Sequence, residues 1–222
     1  AGYINIGVEG QMITGAFAAT VTAIYVPLPG FLLLPLSILA GIIAGGLYAT
    51  LVAVLNMKFQ SSIVICTLML NYVANYIASY LVSYPFKDKS GDGLSLVTKT
   101  IPESTHFLQF SSSNTLNLGI VVAAVITILF FYMERKTVFG YESKMTGLNP
   151  HFAKYGGVFE KKVMLKTMAL SGAIAAVAGM CEIFGYKYRY TDGMFTSASY
   201  AWTGLMAALI ADLHPVGILV SS

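Results

Sequence analysis

The sequence predicts an all-α fold, a polytopic bundle of about six transmembrane helices. Of its 222 residues, 56% are hydrophobic and 10% are Asp, Glu, Lys or Arg, whereas about 25% of an ordinary soluble domain is charged. The 48 residues between Glu9 and Lys58 include no Asp, Glu, Lys, Arg or His. A soluble helix keeps a polar face, but a helix in lipid does not need one. These observations exclude a soluble globular domain, a disordered chain and, since no dense basic patch is present, a nucleic-acid-binding protein.

Six apolar segments mark the predicted spans. A Pro-Leu-Pro-Gly turn follows the first, Lys58 the second, Pro85 the third and a Glu-Arg-Lys run the fourth. The last is interrupted at 212–215, so we expect one span or two short pieces. Because both ends of the chain lie in or beside apolar sequence, we interpret residues 1–222 as a single transmembrane domain, a fragment of a longer protein. The predicted spans are 11–27, 31–55, 61–84, 117–134, 163–184 and 199–220.

Alternation of these spans predicts the orientation of the chain. The segments 56–60 and 135–162 fall on one side, with eight basic residues when Lys166 is included, and the opposite side carries five. Basic residues favour the cytoplasmic side, so 135–162 is predicted to be cytoplasmic and 85–116 to be an external loop. The segments predicted to be external are 28–30, 85–116 and 185–198.

Polar residues at the start of the first span are candidates for a solute pathway. Asn5, Glu9 and Gln11 lie beside an apolar run, together with Gly7 and Gly10. Polar side chains are costly in a membrane and often mark a pathway, and irregular backbone at that depth must face protein or a cavity. The alternative is an ordinary helix start at the interface, where the helix dipole stabilises Glu9 in the first turn.

The third span carries a second polar group, made of Asn71, Tyr72 and Asn75. The two amides are four residues apart and therefore share a helix face. Amides can hydrogen-bond a sugar hydroxyl or a base edge, and tyrosine can stack on either, so we predict that these residues line the pathway. The alternative is that the amides bond a neighbouring helix, which is common in membrane bundles.

Glu182, near the external end of the fifth span, completes the predicted pathway. The alternative is that it forms an ion pair with Lys187 or Arg189 at the membrane interface.

The sequence shows no catalytic set, no metal-ligand spacing among its two cysteines and three histidines, and no P-loop. We therefore predict no catalytic residue, no metal and no cofactor on this chain. If ATP drives the protein, another subunit binds it.

The segment 135–162 contains a short predicted helix. Asn149 followed by Pro150 is typical of a helix cap and first turn, and a Gly-Gly pair beginning at Gly156 ends the helix, which we place at about 150–156. A short capped helix between two spans is suited to docking against a partner. The alternative is a plain connecting loop.

The same segment resembles the coupling-helix loop of ABC importer permeases of the nucleoside, ribose and galactoside type. In that family Gly-Leu/Ala-Asn-Pro precedes a short Ala-rich helix, which ends in Tyr-Ala/Gly-Gly. Four further matches follow the family's order. Together with the loop they cover nearly the whole chain, and they are closest to the nucleoside permeases. Two departures are His151-Phe152 at the start of the short helix and Asp212-Leu213 before the final His-Pro. The further matches are Asn5-Ile6-Gly7-Val8-Glu9-Gly10-Gln11-Met12 with Asn-Ile-Gly-x-Glu-Gly-Gln, Thr67-Leu68-Met69-Leu70-Asn71-Tyr72 with the third-span pattern, and Pro102-Glu103-Ser104 and Thr191-Asp192-Gly193 with outer segments.

The resemblance implies a multi-pass permease subunit of the bacterial cytoplasmic membrane that moves nucleosides, or a related sugar, inward. It implies a second permease subunit, homologous or identical, a cytoplasmic ABC ATPase that binds the ATP, and an external solute-binding lipoprotein. The solute itself stays open. The alternatives are a secondary transporter or channel driven by an ion gradient, a membrane-embedded enzyme, and an ABC permease for sugars or amino acids. The residues that the resemblance assigns to ATPase coupling are Gly147, Leu148, Asn149, Pro150, Ala153, Tyr155 and Gly156.

Overall fold

The computed structural model describes residues 2–89, 95–110, 117–212 and 217–218, and its regular structure is helical, which confirms the all-α prediction. A 3-10 turn, Glu103–Thr105, lies between the third and fourth helices, and a π-helical turn, Ile183–Lys187, extends the seventh. The α-helices are α1 Val8–Tyr25, α2 Gly30–Phe59, α3 Ile63–Ser83, α4 Gly119–Lys136, α5 Val138–Leu148, α6 Pro150–Tyr155, α7 Glu160–Glu182, α8 Met194–Ala198 and α9 Tyr200–Ile210.

Each predicted span contains a helix. Three described segments are long and apolar enough to cross a membrane on their own, namely Gly30–Phe59, Ile63–Ser83 and Glu160–Lys187, and α9 is a shorter apolar helix. The first helix starts at Val8, three residues before the predicted span. The predicted interruption at 212–215 lies, apart from Asp212, outside the described residues.

The centre of the bundle is formed by α1, α2 and α7, which approach closely through small residues. A Cβ placed on Gly45 of α2 would lie 2.6 Å from the Cβ of Ala176 and 2.8 Å from the carbonyl oxygen of Gly172, both on α7. A Cβ on Gly179 would lie 2.8 Å from the carbonyl oxygen of Met12 on α1. Since lipid supplies no hydrophobic force between helices, such close backbone contact is a main source of packing energy in a membrane.

The segments that alternation assigns to one side of the membrane lie together. Residues 97 and 191 form a β-bridge, and the backbone N–H of Phe107 donates to the carbonyl of Phe184 at 2.8 Å. Gly30, at the start of α2, packs against Ser104. These contacts support the predicted grouping of 28–30, 85–116 and 185–198 as far as residue 191. Thr196 in α8 instead contacts Glu9 and Asn75. The side that faces the cytoplasm stays a prediction.

The opposite end joins the start of the chain to the predicted cytoplasmic segment. Gly2 packs against Gly147, and the hydroxyl of Tyr3 lies 3.5 Å from Glu160 Oε1. Partial burial and the neighbouring carboxylate raise the pKa of Tyr3 to about 12, so this hydroxyl remains a donor at neutral pH. The segment 135–162 is mostly helical rather than a loop, because α5 fills the residues before the predicted short helix. Thr137 caps α5, its hydroxyl accepting from the N–H of Gly140 at 3.2 Å.

Candidate functional site

The segment before α1 is held by a network of amide side chains. Asn5 Oδ1 accepts from the N–H of Gly7 at 3.0 Å and from Gln11 Nε2 at 3.1 Å. Asn5 Nδ2 lies 2.9 Å from Gln11 Oε1 and 2.9 Å from the hydroxyl of Ser171 on α7. Gln11 is fully buried. Because both polar ends of each amide are used, the network fixes where α1 begins.

Asn71 ties the middle of α3 to the same helix start. Its Oδ1 accepts from the N–H of Gly10 at 2.8 Å, and its Nδ2 donates to the carbonyl of Ile6 at 3.0 Å. The N–H of Gly10 belongs to the first turn of α1, where N–H groups lack intrahelical acceptors, and Ile6 lies just before the helix. Asn71 therefore makes the interhelical bonds that the packing alternative predicts.

The two predicted pathway carboxylates each accept a hydrogen bond from one broken helical segment. Glu9 Oε1 accepts from the hydroxyl of Thr196 on α8 at 2.7 Å, and Glu182 Oε1 accepts from the hydroxyl of Tyr200 on α9 at 3.1 Å. Between these helices Ser199 adopts a left-handed conformation, with φ 54°. The break between α8 and α9 is thus held by α1 on one side and α7 on the other.

This arrangement differs from the alternative in which Glu182 forms an ion pair at the membrane interface. Its bonded partner is Tyr200, and neither Lys187 nor Arg189 forms an ion pair with it. The ammonium of Lys187 instead lies 4.8 Å from the ring centroid of Tyr186. A tyrosine hydroxyl satisfies one carboxylate oxygen without adding a positive charge to the site.

A cavity of about 360 Å³ lies between the start of α1 and α9. Its size falls within the range of small-molecule sites. It brings together Asn5, Glu9 and Asn71, three of the residues predicted for the pathway. Its aromatic lining comes from Tyr200 and Trp202. The remaining lining residues are Ile6, Val8, Met12, Ala178, Ala201, Gly204, Leu205 and Ala208.

The other predicted pathway residues do not themselves line the cavity. Gln11 bonds Asn5, Glu182 reaches the wall through Tyr200, and Asn75 Oδ1 lies 3.5 Å from the hydroxyl of Thr196. Tyr72 is 61% exposed and does not line the cavity.

Sequence reasoning missed four residues of this site. They are Ser171, Thr196, Tyr200 and Trp202, of which the last is the single tryptophan of the chain. Ser171 lies on α7 itself. The places of the other three depend on the return of the chain after α7, for which the sequence carries only weak signals.

The predicted coupling helix is present as Pro150–Tyr155. Asn149 caps it by accepting from the N–H of Phe152 at 3.0 Å, and Pro150 occupies the first turn. Ala153 is buried beneath the helix, whereas Tyr155 is 93% exposed. Gly156 follows the helix as its C-terminal cap, and the next glycine has a positive φ of 82°.

The surface around α6 carries large apolar side chains. Leu148 is 73% exposed and Phe152 60%, beside the nearly free ring of Tyr155. Gly147 lies on the inner side, against Gly2. A cluster of exposed apolar side chains outside the spans is typical of a protein–protein contact.

Comparison with known proteins places the chain in a family. Residues 1–222 match the family described as the permease component of branched-chain amino acid transport systems. No solved structure gives a significant match.

Three relatives align with the whole chain. The nucleoside ABC transporter permease protein NupB of Lactococcus lactis is 28% identical over 228 residues, and the guanosine ABC transporter permease protein NupP of Bacillus subtilis is 30% identical over 222 residues. The glucose ABC transporter permease protein TsgB13 of Haloferax volcanii is 32% identical over 229 residues. The chain spans 62%, 63% and 60% of their respective lengths. These matches confirm the resemblance to ABC permeases of the nucleoside and sugar type, and the chain belongs to the family of branched-chain amino acid transport system permease components.

Proposed function

We propose that the protein is the membrane-spanning permease subunit of an ATP-driven ABC importer, which moves a nucleoside or a related sugar into the cell. The observation that carries the proposal is the cavity beside the start of α1. Three predicted pathway residues line it, and one side is formed by α9, which follows the helix break at Ser199. Broken helices inside a membrane are tolerated where they line a cavity, and they often mark a transport site.

The solute class is supported by the chemistry of the lining and by the relatives. Two amides and a carboxylate supply hydrogen-bonding groups, while Tyr200 and Trp202 supply aromatic faces. This combination suits a solute that has hydroxyl groups and a flat or apolar face. Two of the relatives are named for nucleosides or guanosine and one for glucose, and all of these compounds carry several hydroxyl groups.

We infer that the protein lies in a bacterial cytoplasmic membrane and works with three partners. A cytoplasmic ABC ATPase binds the ATP and docks on α6 through the exposed side chains Leu148, Phe152 and Tyr155. A second permease subunit, homologous or identical, completes the pathway, and an external lipoprotein delivers the solute. A docking helix transmits motion when it has two positions that the nucleotide state biases.

The experiment that tests the proposal is purification of the full-length protein from its native membrane in mild detergent, with every co-purifying chain identified by mass. A P-loop ATPase together with a second permease or a lipoprotein supports the importer. A protein that purifies alone and takes up solute along an ion gradient after reconstitution supports the secondary transporter and contradicts the proposal.

A further inference from the structure

Glu9 is the one charged residue among the described residues that line the cavity. It lies at the first turn of α1 and is partly buried. Within the described part of the chain, no Lys or Arg forms an ion pair with it. An ionised carboxylate only accepts hydrogen bonds and has about four acceptor positions on its two oxygens. The protein uses Glu9 Oε1 for the hydroxyl of Thr196 at 2.7 Å.

Within the protein, the hydrogen-bond donor to Glu9 is the hydroxyl group of Thr196. Thr196 is exposed and lies on the five-residue helix α8, three residues before the left-handed Ser199. The second carboxylate beside the break, Glu182, is likewise bonded to a hydroxyl, that of Tyr200. Both acidic groups next to the cavity are therefore arranged to receive O–H donors.

We propose that Glu9 is a specificity-determining residue, whose carboxylate accepts hydrogen bonds from hydroxyl groups of the transported solute. The inference rests on the proposed function and adds the chemical group that the cavity recognises. Solute hydroxyls occupy the acceptor positions that Thr196 leaves open, or replace Thr196 when α8 moves.

The same charge selects for solutes without phosphate. A phosphate in the cavity meets the acidic side chain of Glu9, which repels it, and finds no cation among the described lining residues. The lining therefore suits a neutral solute with several hydroxyl groups, which stacks on Tyr200 or Trp202. A nucleotide or a sugar phosphate lacks this fit.

The test uses the full-length permease with its ATPase and binding protein in proteoliposomes. Guanosine, uridine, D-ribose and D-glucose are tried first as radiolabelled probes, to identify a transported solute. ATP-dependent uptake is then compared for that solute and for its analogue without two hydroxyls, such as 2′,3′-dideoxyguanosine for guanosine. Uptake of the solute and of its analogue is measured in the wild type and in the variants Glu9→Gln, Thr196→Val and Glu103→Gln. Since every variant shares one binding protein, that protein's own preference cancels in the comparison.

We expect Glu9→Gln to lower uptake of the hydroxylated solute by about tenfold, since the neutral amide oxygen accepts weaker hydrogen bonds than the carboxylate, while uptake of the analogue changes little. Thr196→Val keeps the wild-type preference because the carboxylate remains. Glu103→Gln, at an exposed position outside the cavity lining, behaves as the wild type.

Two results would overturn the inference while the proposed function stands. One is an equal loss for both solutes in Glu9→Gln. The other is an identical effect of Glu9→Gln and Thr196→Val, which is the result that a purely structural bond between the two residues predicts. Absence of ATP-dependent uptake of every probe in the wild type contradicts the proposed function itself, and the inference with it.

Discussion

The side-chain oxygen of Asn71 accepts a hydrogen bond from the backbone N–H of Gly10 at 2.8 Å, and this bond joins the middle of α3 to the first turn of α1. The same amide donates to the carbonyl of Ile6. One side chain thereby satisfies two backbone groups beside the cavity, so the position of α1 depends on it.

Replacing Asn71 with Leu is expected to destabilise the protein. The substitution leaves the N–H of Gly10 and the carbonyl of Ile6 without their partner, at a cost of about 1–3 kcal/mol for each group that stays buried. The thermal unfolding midpoint of the full-length protein in detergent, followed by circular dichroism, measures the effect. Asn75→Leu is the matched control, because Asn75 makes only a 3.5 Å contact with Thr196. Equal midpoints for the two variants would contradict the structural role of Asn71.

Adding a methyl group to Gly45 is expected to separate α2 from α7. The new Cβ of Gly45→Ala would lie 2.6 Å from that of Ala176, so the helices must shift, and overpacking of this kind costs about 1–3 kcal/mol. Gly204→Ala is the control, since nothing lies within 4 Å of the Cβ it adds. Thermal midpoints of both variants test the prediction. A midpoint for Gly45→Ala at or above that of the control would show that this contact is not tight.

Disrupting α6 is expected to uncouple ATP hydrolysis from uptake. In Ala153→Pro the helix loses the bond from the N–H of residue 153 to the carbonyl of Asn149, and proline inside a helix costs about 3 kcal/mol. Solute-stimulated ATPase activity and uptake in proteoliposomes should both fall, with membrane abundance unchanged. His151→Ala, at an exposed position of the same helix, should retain both activities. Normal coupling in Ala153→Pro would contradict the assignment of α6 as the docking helix.

The orientation of the chain predicts which cysteine variants a membrane-impermeant thiol reagent reaches. With Cys66 and Cys181 replaced by Ala, Glu103→Cys should react from outside intact cells. Lys144→Cys on α5 should react only after the cells are opened, because basic segments favour the cytoplasm. Both positions are exposed, so accessibility within the fold does not separate them. The reverse pattern would invert the predicted topology.

Local signals in the sequence account for much of the fold. The Asn149-Pro150 pair predicts the start of α6 because its cap and first turn depend on those two residues alone. The long uncharged run between Glu9 and Lys58 likewise predicts the first two spans. In contrast, α5 was not predicted, since its mixed and partly polar sequence carries little hydrophobic periodicity and its start rests on a single cap, Thr137.

The candidate site was predictable only in part. Asn5, Glu9 and Asn71 stand out because polar residues are unusual in apolar sequence, and all three line the cavity. The partner of Glu182 was not predictable, because Tyr200 lies 18 residues away and reaches it through the return of the chain. The conformation of Ser199 arises in the same way, since serine has no intrinsic preference for a left-handed backbone.

Uptake by the reconstituted transporter tests the central claim most directly. The full-length permease, its ATPase and its binding protein are placed in proteoliposomes, and accumulation of radiolabelled guanosine and D-glucose is followed with ATP, with a non-hydrolysable ATP analogue and with an imposed ion gradient. The importer account predicts accumulation of at least one solute with ATP, none with the analogue, and no dependence on the gradient. Accumulation that follows the ion gradient and ignores ATP would contradict it.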